Sequence, residues 1–139
     1  MSLSMKAVVL FLMVFVIAPF AMANAQAATC TQAVQNANNL SATISSSATS
    51  YWTHWQNFVD YTYGKKHKVA NWKALAATEL ASGTPLRSPM PNSLASFQAA
   101  IATVQAQNCM PAAALQSLIE STTTNARRIN FGRFPVDED

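Results

Sequence analysis

Between Tyr51 and Lys73 the chain gathers most of its reactive polarity: three tryptophans, three tyrosines, both histidines and four lysines. At about 100° per residue on a helix, Tyr51, Trp52, Trp55, Phe58 and Val59 share one arc, and His54, Asn57 and Tyr61 line its border. An imidazole, a carboxamide and a phenol in a row offer donors and acceptors beside an aromatic wall, which suits a polar ligand held against rings. The same spacing also describes boundary residues of a helix whose rings fill a small core. Lys65, Lys66, His67 and Lys68, with Trp72 and Lys73 close behind, form the one basic cluster. Such cations suit phosphate, lipid headgroups or an acidic polymer, or simply the negative end of the helix before them. No nucleic-acid recognition motif accompanies them, so nucleic acid is not an expected partner.

Catalysis has little else to draw on. Apart from Asp137, Glu138 and Asp139 at the acidic C-terminal end, the carboxylates are Asp60, Glu79 and Glu120, which a paired-acid hydrolase would have to recruit from different helices. His54 and His67 stand apart from other metal-binding side chains, so neither metal nor cofactor is expected. There is no Cys-x-x-Cys-His haem attachment, no Gly-x-Ser-x-Gly elbow and no phosphate-cradling glycine loop. An enzyme on this chain would be a small hydrolase or transferase using His54 with Asp60 or a hydroxyl from another helix.

The N-terminus decides the compartment. Residues 1–6 are short and basic, Ala7 to Phe20 is an apolar run of about 14 residues, and Ala-x-Ala sites end at Ala23, Ala25 or Ala27. This is the layout of a cleaved signal peptide over residues 1–27, and the run falls short of the roughly 20 residues that span a bilayer. The rivals are an uncleaved anchor and acylation of Cys30, for which Ala27-Ala28-Thr29-Cys30 is a poor match. Lys6 leaves with the leader, so nine basic and six acidic residues become eight and six, a net of +2. In an exported chain, two cysteines read as one disulfide, Cys30–Cys109. Closing roughly 80 residues, it should add about 4.5 kcal/mol in the chain-entropy model.

The elements that must position these groups read as helices. Thr29 and Gln32 have capping-box spacing, which starts a first helix at Cys30, and Gly64, Gly83 and Gly132 each fall where a helical period stops. Ala37, Leu40, Ile44, Ala48, Tyr51, Trp55, Phe58 and Thr62 then repeat at helical steps, either in one long helix or in two broken near Ser47, where hydroxyl residues crowd. A second helix carries Val69, Trp72, Ala76 and Leu80 to Gly83. The three prolines of residues 84–92 mark a loop. A third helix runs from about Ser93 to Asn108, and a fourth begins at Pro111 with Leu115, Leu118, Ile119, Thr122, Ala126 and Ile129 inward. If the second and third helices return end to end along the first, Cys109 arrives level with Cys30.

The expectation is therefore an all-α antiparallel bundle of about four helices over residues 28–130, closed by one disulfide and followed by a tail, residues 131–139. The segment from Arg127 to Pro135, with its arginines and aromatics, either docks a partner or folds back. Asn39-Leu40-Ser41 fits a glycosylation acceptor but lies inside a helix. The leading expectation is an exported, periplasmic or secreted protein that binds a protein or cell-envelope partner as an inhibitor, immunity protein, accessory factor or effector. Its candidate binding residues are His54, Asn57, Tyr61, Lys65, Lys66, Lys68 and Trp72, and an anionic membrane surface is a further partner for the Trp- and Lys-rich segment 51–73.

Overall fold

The computed structural model describes the backbone of residues 5–135 and the side chains of residues 29–135, so the side chains of the leader and of its cleavage sites, like the acidic residues 137–139, lie outside the described part. The elements are α1 (Met5–Thr62), a 3-10 turn at Lys65–Lys68, α2 (Trp72–Arg87), α3 (Met90–Ala106), α4 (Ala112–Ala126) and the short α5 (Arg128–Phe131), with no strand among the described residues. The bundle is all-α and closed by Cys30–Cys109, whose Cα atoms lie 5.1 Å apart. From Cys30 to Thr62, α1 covers roughly 50 Å at 1.5 Å per residue. The 16 residues of α2 and 17 of α3 run back over about the same length. This end-to-end return brings the cysteines together.

Helix α1 is unbroken through the hydroxyl-rich residues 45–50. Packing overrides low propensity there. Ile44 and Ala48 are buried in the core. The hydroxyls of Ser45 and Thr49 accept bonds from Asn125 Nδ2 (3.1 Å) and Arg128 Nη1 (3.3 Å), which tie this stretch to α4 and α5. Thr29 is already helical, so the Thr29–Gln32 pair does not begin the helix in the full-length chain.

The proline-rich stretch is not the expected loop. Helix α2 continues through Pro85 to Arg87, and α3 opens at Met90 rather than Ser93. Only Ser88 and Pro89 join them, both with right-handed helical backbone (φ −54°, ψ −41° and φ −74°, ψ −12°). Pro89 and Pro91 sit at the start of α3, where the missing N–H groups have no partner to lose. Gly83 accordingly lies inside α2 instead of ending it.

The rising segment α4–α5 lies alongside α1 in one fixed register. Cys109 meets Cys30, Thr122 meets Ser41, Asn125 meets Ser45, Arg128 meets Thr49 and Gly132 meets Tyr51, at separations of 79 to 81 residues. The lower core packs Ala37, Ile44 and Ala48 of α1 against Phe97, Ile101 and Val104 of α3 and Leu115 and Ala126 of α4. Each large side chain buried there contributes about 1.5–3 kcal/mol. Its buried polar pair is Ser41–Thr122, 2.6 Å apart. Thr122 gives its proton to Leu118 O at 2.7 Å, so Ser41 is the donor between them. That burial also puts the serine of the Asn39-Leu40-Ser41 acceptor out of reach in the folded chain.

Candidate functional site

The upper half of α1 packs against α2, the 3-10 turn and the returning C-terminal segment. His54, Asn57 and Tyr61 advance by three and four residues, so they share the border that faces α2. Helix α2 runs antiparallel and brings Glu79 between the first two. Its Oε2 lies 2.5 Å from His54 Nδ1 and its Oε1 accepts from Asn57 Nδ2 at 3.4 Å. Asn57 Oδ1 in turn accepts from Lys66 Nζ at 2.9 Å, and that ammonium sits 5.1 Å from the centre of the Tyr61 ring. His67 Nδ1 lies 3.1 Å from Tyr61 O, and its ring is 4.2 Å from Trp72, which Lys73 Nζ approaches at 5.6 Å.

Five of the seven candidate residues, His54, Asn57, Tyr61, Lys66 and Trp72, thus belong to one connected ledge, and each is half-buried. Lys65 and Lys68 stand exposed beside it in the 3-10 turn. Glu79 and His67, absent from the candidate set, complete the chain of contacts. Glu79 had a recoverable signal: a turn centred near residues 67–68 pairs positions whose numbers sum to about 136, as Asn57 and Glu79 do. Asp60 is not the partner of His54. It is six residues on, about 240° round the helix, where it lies beside Gly64.

The aromatic arc divides into core and surface. Tyr51 is fully buried, and its hydroxyl donates to Gly132 O at 2.9 Å while accepting from Arg87 Nη1 at 3.3 Å. The same guanidinium reaches Ile129 O at 3.2 Å, tying α2 to α5. The C-terminal segment folds back: Phe134 is fully buried, with Tyr51 and Phe58 edge-on to its ring at 5.4 Å each. Two glycines make this possible by close approach. A Cβ on Gly83 would come within 2.4 Å of the Phe134 ring, and one on Gly132 within 2.3 Å of Trp55. Trp52 and Trp55 stack at 5.0 Å and remain half-exposed, and Trp55 and Asn57 border a depression of about 410 Å³.

Chemically, the ledge is a set of donors, a cation and rings fixed by internal partners yet open to water. His54 is 32% and Glu79 18% exposed. An imidazole oriented by a carboxylate is the supporting part of a nucleophilic triad, but among the described residues no serine, threonine or cysteine side chain hydrogen-bonds His54. No group of three His, Cys, Asp or Glu side chains among the described residues could hold a metal ion. No protein-family model matches this chain, and neither a curated protein nor a solved structure is significantly similar to it.

Proposed function

We propose that this is a small exported helical protein that acts by binding a protein or cell-envelope partner through its aromatic and basic end, in an inhibitory, immunity, accessory or effector role. The observation that carries the reading is the ledge of His54, Asn57, Tyr61, Lys66 and Trp72, cross-linked by Glu79 and His67 yet half-exposed. Side chains already held in place lose little entropy on binding, which is what a recognition surface gains from such internal contacts. The export half of the reading is supported by the signal-like residues 1–27 and by a disulfide of the kind that persists in oxidising compartments.

The test uses the native host. Photo-crosslinking side chains placed at Lys65 and Lys68 should capture a defined species that the same groups at Gln98 and Gln105 do not, and mass spectrometry of the exported product should find a new N-terminus after Ala23, Ala25 or Ala27. Capture equal at both ends, or a cytosolic product that retains Met1, would overturn the reading.

The contact between His54 Nδ1 and Glu79 favours one second reading, a small envelope hydrolase or transferase in which Glu79 orients the imidazole. It requires a hydroxyl or thiol to reach the other ring nitrogen when substrate binds. Hydrolysis of an ester or peptide panel that disappears in His54→Gln would establish it; activity unchanged by that substitution would end it.

A further inference from the structure

Charge is segregated along the molecule. Residues 29–59 and 88–119 contain no Asp, Glu, Lys or Arg, so the half closed by the disulfide is nearly free of ionic groups, Glu120 being its exception. The arginines gather at the waist, where Arg87 reaches Tyr51 and Arg128 reaches Thr49. All four lysines after the leader, Lys65, Lys66, Lys68 and Lys73, lie at the far end, where α1 turns into α2. Of these only Lys66 is half-buried; the others and His67 are exposed. The two carboxylates nearest this end are both half-buried: Asp60 beside Gly64, and Glu79 against His54.

The same end carries apolar surface that the fold does not use. Tyr63 is 83% exposed just before the 3-10 turn and Val69 43% exposed just after it, and Trp72 sits half-buried between His67 and Lys73. An amphipathic ring and an apolar side chain set among lysines match the interface of a bilayer, where aromatic residues settle at the headgroup level and cations meet lipid charge. An acidic polymer would engage the lysines and leave Tyr63 and Val69 in water. Because the opposite half carries no cation and only Glu120 as a charge, the attraction acts on one end and orients the approach.

We propose that the molecule docks end-on to an anionic lipid bilayer, with Tyr63 and Val69 entering the headgroup layer and Lys65, Lys68 and Lys73 against the lipid charge. The proposal rests on the reading that this end is a binding surface, and names its partner. Among the described residues no helix is long and apolar enough to cross a membrane.

Co-sedimentation of the oxidised exported chain with vesicles tests it. Recovery is expected with phosphatidylcholine vesicles that contain phosphatidylglycerol, not with phosphatidylcholine alone, and should fall as salt rises. Each lysine near an anionic surface is worth about fivefold, so the triple variant Lys65→Ser, Lys68→Ser, Lys73→Ser should bind about a hundredfold more weakly. Tyr63→Ser with Val69→Ser should weaken binding several-fold, while Arg127→Ser with Arg128→Ser at the waist should change it less than about twofold. Helical circular dichroism checks that each variant is folded. Equal recovery on both vesicle types, or full binding by the Tyr63 and Val69 variant, would overturn the bilayer as partner. If vesicles fail while crosslinking from Lys65 and Lys68 still captures one protein, the bilayer is removed and the binding reading stands.

Discussion

The half closed by the disulfide and the half that ends in the basic turn share one helix and differ in almost everything else. In the first, α1, α3 and α4 bury small and aliphatic side chains around Phe97, with one satisfied hydroxyl pair and almost no ionic groups. In the second, no residue of α1 beyond Tyr51 is fully buried, α2 contributes only Ala76 and Gly83 to the interior, and large rings are left half in water. The first half is built for cohesion. The second gives up burial and keeps a fixed polar ledge, and it is this end that we propose as the binding surface.

The comparison can be broken at its strongest point. Replacing Cys30 and Cys109 by serine should lower stability by about 4.5 kcal/mol in denaturant unfolding. Near-UV signals from the tryptophans should then vanish at the same denaturant concentration as helical signal, since Ser88 and Pro89 join α2 to α3 with helical backbone. An earlier, separate aromatic transition would show that the halves unfold independently. Side-chain truncation sharpens the contrast. Phe97→Ala in the buried core should cost about 3–5 kcal/mol, whereas Trp52→Ala, which loses a half-exposed stack, should cost about 1 kcal/mol. Comparable losses at the two positions would erase the distinction.

Smaller effects probe the polar groups of each half. Thr122→Val strands the buried Ser41 hydroxyl and should cost about 1–3 kcal/mol, while adding Ser41→Ala should restore part of that loss. In the ledge, Glu79→Gln removes a carboxylate from a partly exposed contact and should change stability by less than about 1 kcal/mol. A larger loss would mean that the ledge holds the fold together rather than standing ready for a partner. Calorimetric or denaturant midpoints measure all three variants.

Much of this architecture was legible in the residues. Helical spacing marked Ala37, Ile44, Ala48 and Tyr51 as inward, and all four are buried, because a 3.6-residue period is the direct imprint of one buried face. The lengths of the elements allowed Cys30 to meet Cys109, and the border formed by His54, Asn57 and Tyr61 turned out to be continuous with Lys66 and Trp72. What escaped notice depends on tertiary contact. Pro85, Pro89 and Pro91 read locally as a loop, yet Pro89 and Pro91 fall at the start of α3, where a proline costs no hydrogen bond, and Pro85 is carried inside the last turn of α2 despite the bond it removes. Gly83 looks like a terminator until Phe134 is known to press against it. Glu79 is an unremarkable surface acid until α2 acquires its register on α1.

That α4 and α5 follow α1 at a nearly constant separation of 79 to 81 residues has a kinetic consequence. Helical proteins fold fast when their contacts are close in sequence, but the bonds that seal this one join residues some eighty positions apart, which raises its contact order. Helices α1 and α2 can form from local contacts, whereas the aromatic interior is complete only once Phe134 packs against Tyr51 and Phe58. A slip of one helical turn would break every bond in that ladder together. The offset is therefore fixed by several contacts at once, and residues 122–134 are needed to complete it.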